Sequence, residues 1–445
     1  MSERHRQFGD FQTPVSLARA ICAKLDGISP QTLVEPTCGV GHFLEAAAEQ
    51  FPGADRVGYE LHGPYVEAAR ATGAKVHHAD FFAVDWDAAA ATWREPILVL
   101  GNPPWVTNAE QTRVSGHNLP PKKNAEGRSG IAALTGQSNF DLAQWMFERL
   151  LQVLEGRDAV IALLCKTSVA RRLVGRIGQP VGLWRIDAAR HFGASVDAGL
   201  LVLRPGGPPG PCPVYDTLDA ERPSRRMSSG VSDVDAWERS KHLAGRVDRW
   251  RSGVKHDAAA VLQLTAAKEG WINGLGDVVD VEEDVLFPLL KSSDLAHGRP
   301  PTRCLLLPQR ALGEDTALLE RSAPRAWAYL CRHGARLDAR RSRIYRGRPR
   351  FSVFGVGPYC FDPYKVAISG MYRSMQFRVI GPHRGRPVLF DDTCYQLSFG
   401  TEDEARAAWA VLSSEAATDF FRSRVWWDAK RPITKALLAS FGGVA

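Results

Sequence analysis

The run Leu98-Val99-Leu100-Gly101-Asn102-Pro103-Pro104-Trp105 is an apolar strand with an uncommon ending. A strand that only packs would close in Gly, Asn or Asp and turn away. Here Pro103 and Pro104 fix φ and remove two backbone donors, so carbonyls are presented without competing N–H groups. The Asn102 side chain adds an amide and Trp105 adds a flat ring. Together they are equipped to hold a planar aromatic amine by its edge and its face.

Three further strand ends carry groups that could do chemistry. Glu35-Pro36-Thr37-Cys38-Gly39-Val40-Gly41 sits where a short strand, Thr32 to Glu35, meets a helix. Glycines there let a ligand approach the backbone beside a helix N-terminus, although two glycines serve a tight strand-to-helix turn equally well. Glu60 closes the next strand about 20 residues on, the spacing at which an acid takes a ribose hydroxyl pair in dinucleotide sites. Asp80-Phe81 ends the third strand and offers an acid for a base edge and an apolar wall. Any one of these acids alone is more often a cap than a ligand. Four successive ends of this kind line one rim of a parallel sheet, and that rim is where such folds bind ligands.

Other chemistries lack their residues. No Gly-x-x-x-x-Gly-Lys-[Ser/Thr] supports nucleotide hydrolysis, and neither Gly-x-Ser-x-Gly nor His-Glu-x-x-His occurs. The eight cysteines are scattered, with no Cys-x-x-Cys pair and no Cys/His cluster at zinc spacing. They imply a reducing cytoplasm and no structural metal, with Cys38 and Cys165 as packed thiols. No apolar run reaches membrane-spanning length, and the N-terminus lacks the apolar segment of a signal peptide.

The elements that must position these groups alternate. A helix from Val15 to Leu25 follows Phe11-Gln12-Thr13-Pro14, with Thr13 placed as N-cap and Pro14 at the first helical position. Strands are expected at 32–35, 56–60, 75–80, 97–101, 159–165 and 198–203, with helices at 44–51, 64–71, 140–154 and near 168–176 between them. Alternation implies right-handed crossovers and a mainly parallel α/β sheet with helices on both faces. Residues 106–138 are rich in Gly, Asn, Ser, Pro and Lys, a length that in a compact domain marks either a mobile functional segment or a disordered one, here a segment expected to order on a partner.

At 445 residues two or three domains are expected. Arg204-Pro205-Gly206-Gly207-Pro208-Pro209-Gly210-Pro211-Cys212-Pro213 reads as the linker, dividing the chain into 1–206 and 207–445. Charge follows the same division. Residues 1–210 are neutral, 21 basic against 21 acidic, while 211–445 hold 35 basic against 28 acidic and so the whole net +7. A basic back half suggests a polyanion partner. Arg332 to Arg350 alone carries eight arginines against Asp338, which reads either as a solvated face or as a phosphate-contacting surface through Arg340, Arg341, Arg343, Arg346 and Arg348. Aromatic-rich, strand-like segments follow at 351–354, 359–366, 376–380 and 388–390, then a helix near 402–413.

With these residues in place, the chain resembles the S-adenosylmethionine-dependent DNA methyltransferases that modify exocyclic amines, and within them the adenine-N6 group of gamma-type motif order. Phe11-Gln12-Thr13-Pro14 matches the N-terminal motif that closes over the methionine end of the cofactor. Glu35 to Phe43 matches the cofactor loop, Glu60 the ribose acid, and Asp80-Phe81 the acid and aromatic around the cofactor adenine. Asn102-Pro103-Pro104-Trp105 matches the catalytic motif and Asn139-Phe140-Asp141 the opening of the next helix. Phe192 is the counterpart of the aromatic that backs the target base. Leu286 to Lys291, Phe351 to Gly357, Tyr364 to Gly370, Asp391 to Tyr395 and Lys430 to Ile433 resemble the back half of modification methyltransferases in restriction–modification systems.

The resemblance implies a Rossmann-like class I methyltransferase sheet in 1–206 and a mixed α+β target-recognition domain in 207–445. It implies S-adenosyl-L-methionine held by Thr13, Pro14, Glu35, Thr37, Cys38, Gly39, Gly41, Glu60, Asp80, Phe81 and Asn102, and a flipped base held by Trp105 and Phe192. Its partners would be double-stranded DNA and a separately encoded restriction endonuclease, since no segment of the chain is spare for a nuclease, and its setting a prokaryotic cytoplasm. Trp at position 105 departs from the commoner Tyr or Phe and also occurs in cytosine-N4 relatives, whose first motif residue is typically Ser; Asn102 favours adenine. RNA or protein-glutamine methylation, and a DNA-binding subunit with a relict site, are the other readings. The large basic back half argues against a protein-glutamine substrate, which needs no such domain, and intact residues at all four strand ends argue against the relict site.

Overall fold

A computed structural model describes residues 11–106, 141–176, 178–268 and 270–444. The chain divides into two compact units, the first ending at Asp235 and the second running from Ala236 to Ala445.

The first unit is laid on β1 (Thr32–Glu35), β2 (Asp55–Glu60), β3 (Lys75–His78), β4 (Ile97–Gly101), β5 (Ala159–Lys166), β6 (Gln179–Ile186), β7 (Ala198–Arg204), β8 (Cys212–Tyr215) and β9 (Arg225–Met227). They form one sheet in the order β3-β2-β1-β4-β5-β7-β6-β8-β9. From β3 to β5 every pairing is parallel, and β7 is inserted antiparallel between β5 and β6. Helices α1 (Val15–Lys24), α2 (His42–Gln50), α3 (Gly63–Arg70), α4 (Trp86–Ala90), α5 (Leu142–Val153), α6 (Thr167–Leu173) and α7 (Ala188–Phe192) make the connections. This is the α/β class expected, with β1 and β4 as the central pair where the strand order reverses. Ligands of open α/β sheets bind outside the carboxyl ends of such a pair.

Burial explains why the sheet can hold that rim still. Ile97, Leu98, Val99 and Leu100 are all fully buried, as are Leu33 and Val34 of β1. Each such side chain stabilises the fold by about 1.5–3 kcal/mol. α1 presents Leu17, Ala18, Ile21 and Cys22 to the core, a helical stripe.

Several expectations change. The expected boundary at 206/207 falls inside the first unit, because β8 pairs in parallel with β6 and β9 pairs with β8. The Pro/Gly-rich stretch is a turn from β7 to β8, and Tyr215 stacks on Trp184 of β6 at 4.6 Å between ring centroids. β6 and α7 were not anticipated. Pro180 and Gly182 break the strand pattern of β6, and the register slips between them. The cap of α1 is Pro14, one residue later than expected, with no side-chain cap.

The second unit has two sheets. Strands β10 (Arg251–Ser252), β16 (Tyr364–Ser369), β17 (Arg378–Ile380) and β19 (Cys394–Phe399) pair in the order β10-β19-β16-β17. A six-stranded sheet runs β13-β12-β11-β15-β14-β18, from β11 (Gln263–Ala266), β12 (Trp271–Asn273), β13 (Val278–Val279), β14 (Leu286–Leu290), β15 (Arg303–Leu306) and β18 (Leu389–Phe390). Its pairings are antiparallel except β14 with β18. Helices Pro324–Arg332, Glu402–Leu412 and Glu415–Arg422 complete a mixed α+β body. Phe351 to Phe354, read as strand-like, makes only an isolated bridge from Phe354 to Lys255. No helix among the described residues is long and apolar enough to cross a membrane.

Candidate active site

The carboxyl end of β1 is an acid in an apolar setting. Glu35 is 2 % exposed, and its Oε2 has no hydrogen-bond partner among the described residues. Burial first, then the negative charge of Glu60, pushes its carboxyl well above the usual carboxylate range, while a backbone N–H from Leu44 acts the other way. Room for it comes from β4. A Cβ at Gly101 would lie 3.3 Å from Glu35 Cγ.

The chain then turns through Thr37 to Gly41. Cys38 N–H donates to the Tyr59 carbonyl at 2.9 Å, tying the turn to β2. Cys38 is buried, and burial first, then Glu35 and Glu60, raises its thiol pKa far from any reactive range. Gly39 (φ +53°) and Gly41 (φ +90°) are left-handed. A side chain at Gly39 would strike Gln12 Oε1 at 2.3 Å, and one at Gly41 the Ala69 backbone at 2.9 Å. Glycine is therefore required twice, by conformation and by contact. Gly41 caps α2, so this turn lies at a helix N-terminus. Thr37 Oγ1 is buried, with no hydrogen-bond partner among the described residues.

Glu60, closing β2, accepts from Gly39 N–H at 2.9 Å through Oε2 and from His62 N–H at 2.7 Å through Oε1. Each oxygen keeps acceptor capacity for a hydroxyl. Beyond β3, Asp80 Oδ1 accepts from Phe82 N–H at 2.9 Å. Phe81 is buried against Trp86, Phe82 and Trp145, with ring centroids 4.6, 5.7 and 6.1 Å away.

The end of β4 has a different design. Asn102 Nδ2 donates to the Phe11 carbonyl at 3.0 Å, and Asn102 Oδ1 is buried with no partner among the described residues. Pro103 is buried and Pro104 half-buried. Trp105 is 6 % exposed, and its ring centroid lies 5.1 Å from Phe192 and 5.7 Å from Phe11; Phe11 and Phe192 are 5.9 Å apart. Three aromatic rings thus close beside an unsatisfied amide oxygen.

The N-terminal segment reaches both ends of the site. Gln12 Oε1 accepts from Val40 N–H at 3.1 Å, and the buried Thr13 offers its carbonyl to His42 Nδ1 at 2.7 Å. The rim around β1 and β4 therefore gathers Thr13, Pro14, Glu35, Thr37, Cys38, Gly39, Gly41, Glu60, Asn102, Pro103, Pro104, Trp105 and Phe192. Phe11 and Gln12 were missed as individual site residues, although they begin the motif to which Thr13 and Pro14 belong. Asn139 and Phe140 lie outside the described residues, as does nearly all of the long loop. Asp141 pairs with Lys166 Nζ at 2.5 Å and caps α5.

No protein-family model matches the chain. Over an alignment of 459 positions that covers 98% of this chain and 96% of the relative, it is 40% identical to the type II methyltransferase M.NspV of Nostoc sp. (strain ATCC 29411 / PCC 7524). The chain belongs to the type II methyltransferases. A shorter match to the type II methyltransferase M.CvrRI of Paramecium bursaria Chlorella virus XZ-6E gives 31% identity over 112 residues, 24% of this chain and 27% of that one. Among solved structures, the type IIL restriction-modification enzyme MmeI in complex with DNA matches with TM-score 0.55 and 13% identity, covering 97% of this chain and 63% of that one. At that identity the likeness speaks for the fold.

The cofactor of this methyltransferase is S-adenosylmethionine, which supplies a methyl group on a cationic sulfonium. The residues present fit it. Buried oxygens at Glu35 and Thr37 have no partner among the described residues and await hydrogen-bond donors or positive charge, and the Gly39–Gly41 turn keeps the N-terminus of α2 free of side chains. Orphaned buried polar atoms of this density mark a ligand site.

In the second unit of the methyltransferase two kinds of arginine lie side by side within 340–348. Arg340 turns inward. Its guanidinium donates to the carbonyls of Leu337, His256, Ser352 and Arg350 at 2.7–3.4 Å and lies 3.8 Å from the Tyr345 ring centroid. Burial lowers its pKa. It is a structural staple, which corrects its expected role as a phosphate contact. Arg341, Arg343, Arg346 and Arg348 are exposed, with no ion-pair partner among the described residues.

Proposed function

We propose that this methyltransferase modifies the N6 amine of an adenine flipped out of double-stranded DNA, as the modification component of a prokaryotic, cytoplasmic restriction–modification system. The observation that carries the reading is the Asn102 amide. Its N–H is committed to Phe11, and its buried oxygen has nothing to accept from among the described residues. An exocyclic amine supplies what is missing.

An adenine inside a duplex cannot present its amine to a buried methyl donor, so the base must leave the stack. Asn102 Oδ1 and the Pro103 carbonyl then accept the two N6 hydrogens. Two acceptors draw the nitrogen from planar towards tetrahedral and free its lone pair, so the amine is itself the nucleophile and no covalent enzyme intermediate is required. Trp105 stacks on the flipped base, worth roughly 1–3 kcal/mol, with Phe192 backing it. Pro104 holds the turn rigid. Thr13 and Pro14 cover the methionine end of the cofactor, Glu35, Thr37, Cys38, Gly39 and Gly41 line its middle, Glu60 takes the ribose hydroxyls, and Asp80 with Phe81 serves its adenine. Catalysis comes from positioning and from acceptors aimed at the charge that develops on nitrogen.

The second unit acts as the target-recognition domain, with Arg341, Arg343, Arg346 and Arg348 on phosphates. A restriction endonuclease encoded separately shares the target. Incubating unmethylated plasmid DNA with the protein and S-adenosylmethionine, then analysing the nucleosides by mass spectrometry, tests the reading. It expects N6-methyldeoxyadenosine. N4-methyldeoxycytidine would reassign the base, and the absence of any methylated deoxynucleoside would sink DNA as the substrate.

A further inference from the structure

Glu35 is a buried acid of the first unit with no counter-charge among the described residues. It is 2 % exposed, and no Lys, Arg or His pairs with it among the described residues. The titratable groups around it offer no help. Glu60 faces it from β2, Cys22 from α1 and Cys38 from the following turn, and a single backbone N–H, that of Leu44 in α2, donates to it among the described residues. β4 contributes Gly101, which has no side chain. An ionised carboxylate in such a place would carry an uncompensated desolvation cost, and a buried acid escapes that cost by taking up a proton.

We propose that Glu35 is a neutral carboxylic acid in the free protein and surrenders its proton to solvent when the cationic cofactor binds. The O–H bond breaks, the electron pair stays on the carboxylate, and the proton leaves to buffer. The new negative charge is balanced by the cofactor, whose sulfonium and ammonium outnumber its one carboxylate. Opposite charge close by favours the ionised form, as burial alone favours the neutral one. Burial and the neighbouring Glu60 both raise the Glu35 pKa in the free state, so the free protein holds the proton that the complex lacks.

Linkage then fixes the sign. Each proton released makes the association constant rise up to about tenfold per pH unit below the free-state pKa and level off above it. The site loads poorly in acid and well near neutrality. This inference rests on the cofactor assignment and is independent of which base is methylated.

Isothermal titration calorimetry of the full chain with S-adenosylmethionine at about pH 6, in buffers of low and high ionisation enthalpy, reads the released proton directly. The expected result is release of close to one proton per cofactor bound by the wild type and close to none by Glu35→Gln. Buffer-independent heats in the wild type, or equal release by the variant, would overturn the proposal. Should Glu35→Gln fail to fold, the wild-type infrared difference spectrum decides: cofactor addition must remove a protonated-carboxyl C=O band, and an unchanged band region refutes the idea. The absence of any binding heat would fall on the cofactor assignment instead, and this inference with it.

Discussion

The carbonyl of Phe11 holds the side-chain amide of Asn102 by a 3.0 Å hydrogen bond across 91 residues of chain. That single contact sets the roll of the amide. With Nδ2 committed, Oδ1 is the atom left facing an unmet hydrogen-bonding need. In the proposed reaction the N-terminal segment therefore does more than cover the cofactor, because it orients the group that would receive the substrate amine.

Asn102→Ala is expected to lower the rate of methyl transfer by about 10²–10³-fold, as when one preorganised hydrogen-bonding group is removed. Cofactor affinity should change little. Asn102→Asp tests the orientation itself. It keeps an oxygen but loses the N–H that Phe11 accepts and sets a carboxylate against that carbonyl, so it should fail nearly as badly. Single-turnover kinetics beside calorimetric cofactor binding separate the two effects, and an active Asp variant would contradict the role given to Phe11.

The ring contacts around Trp105 carry a second prediction. Trp105→Ala should weaken retention of the flipped base by roughly 1–3 kcal/mol, and Trp105→Phe by less. Phe192→Ala should act in the same direction through its 5.1 Å contact with Trp105. The fluorescence of 2-aminopurine placed at the target position reports the flipped population. An Ala variant that flips the base as fully as the wild type would remove Trp105 from the pocket.

Much of this site was legible in sequence because its determinants are local. Four consecutive apolar residues and a glycine ending in Asn-Pro-Pro-Trp can hardly be anything but a buried strand with a rigid polar end, and β4 spans Ile97–Gly101 as read. The acids of β1 and β2 follow from the same strand-then-turn rhythm. What escaped was non-local. Phe11 meets Asn102, Trp105 and Phe192 only after the chain has folded. β6 was hidden by Pro180 and Gly182, and β8 by the prolines around Cys212, because local propensity there opposes a pairing that tertiary context enforces. Arg340 shows the limit of reading charge. Eight arginines in one stretch look alike until burial reveals one whose donors all point at carbonyls.

Glu35 also makes stability depend on pH. Its pKa is raised in the folded free protein, so the native state holds a proton that the unfolded chain has released at pH values above the ordinary glutamate range. Stability therefore falls as pH rises through the window between the unfolded and folded values. Glu35→Gln cannot ionise and should gain on the wild type as pH rises from about 5 to about 8. Thermal melts of both proteins without cofactor give the comparison, and a constant difference in Tm would contradict it.

The two kinds of arginine should respond differently to substitution. Arg340→Ala is expected to destabilise the second unit by roughly 2–4 kcal/mol, since it strands several carbonyls in a partly buried site. Replacing Arg341, Arg343, Arg346 and Arg348 together by Gln should leave melting nearly unchanged while reducing DNA affinity and flattening its salt dependence by about 3–4 units of slope. Denaturant unfolding and salt-titrated binding measure the two. Unaltered DNA affinity at moderate salt would move the phosphate contacts elsewhere.

The most direct test of the central claim is modification-sensitive sequencing of DNA from cells expressing either the wild type or Asn102→Ala. The account predicts N6-methyladenine at one recurring sequence in the first and unmodified DNA in the second. N4-methylcytosine in place of methyladenine, or undiminished methylation by the Ala variant, would contradict it.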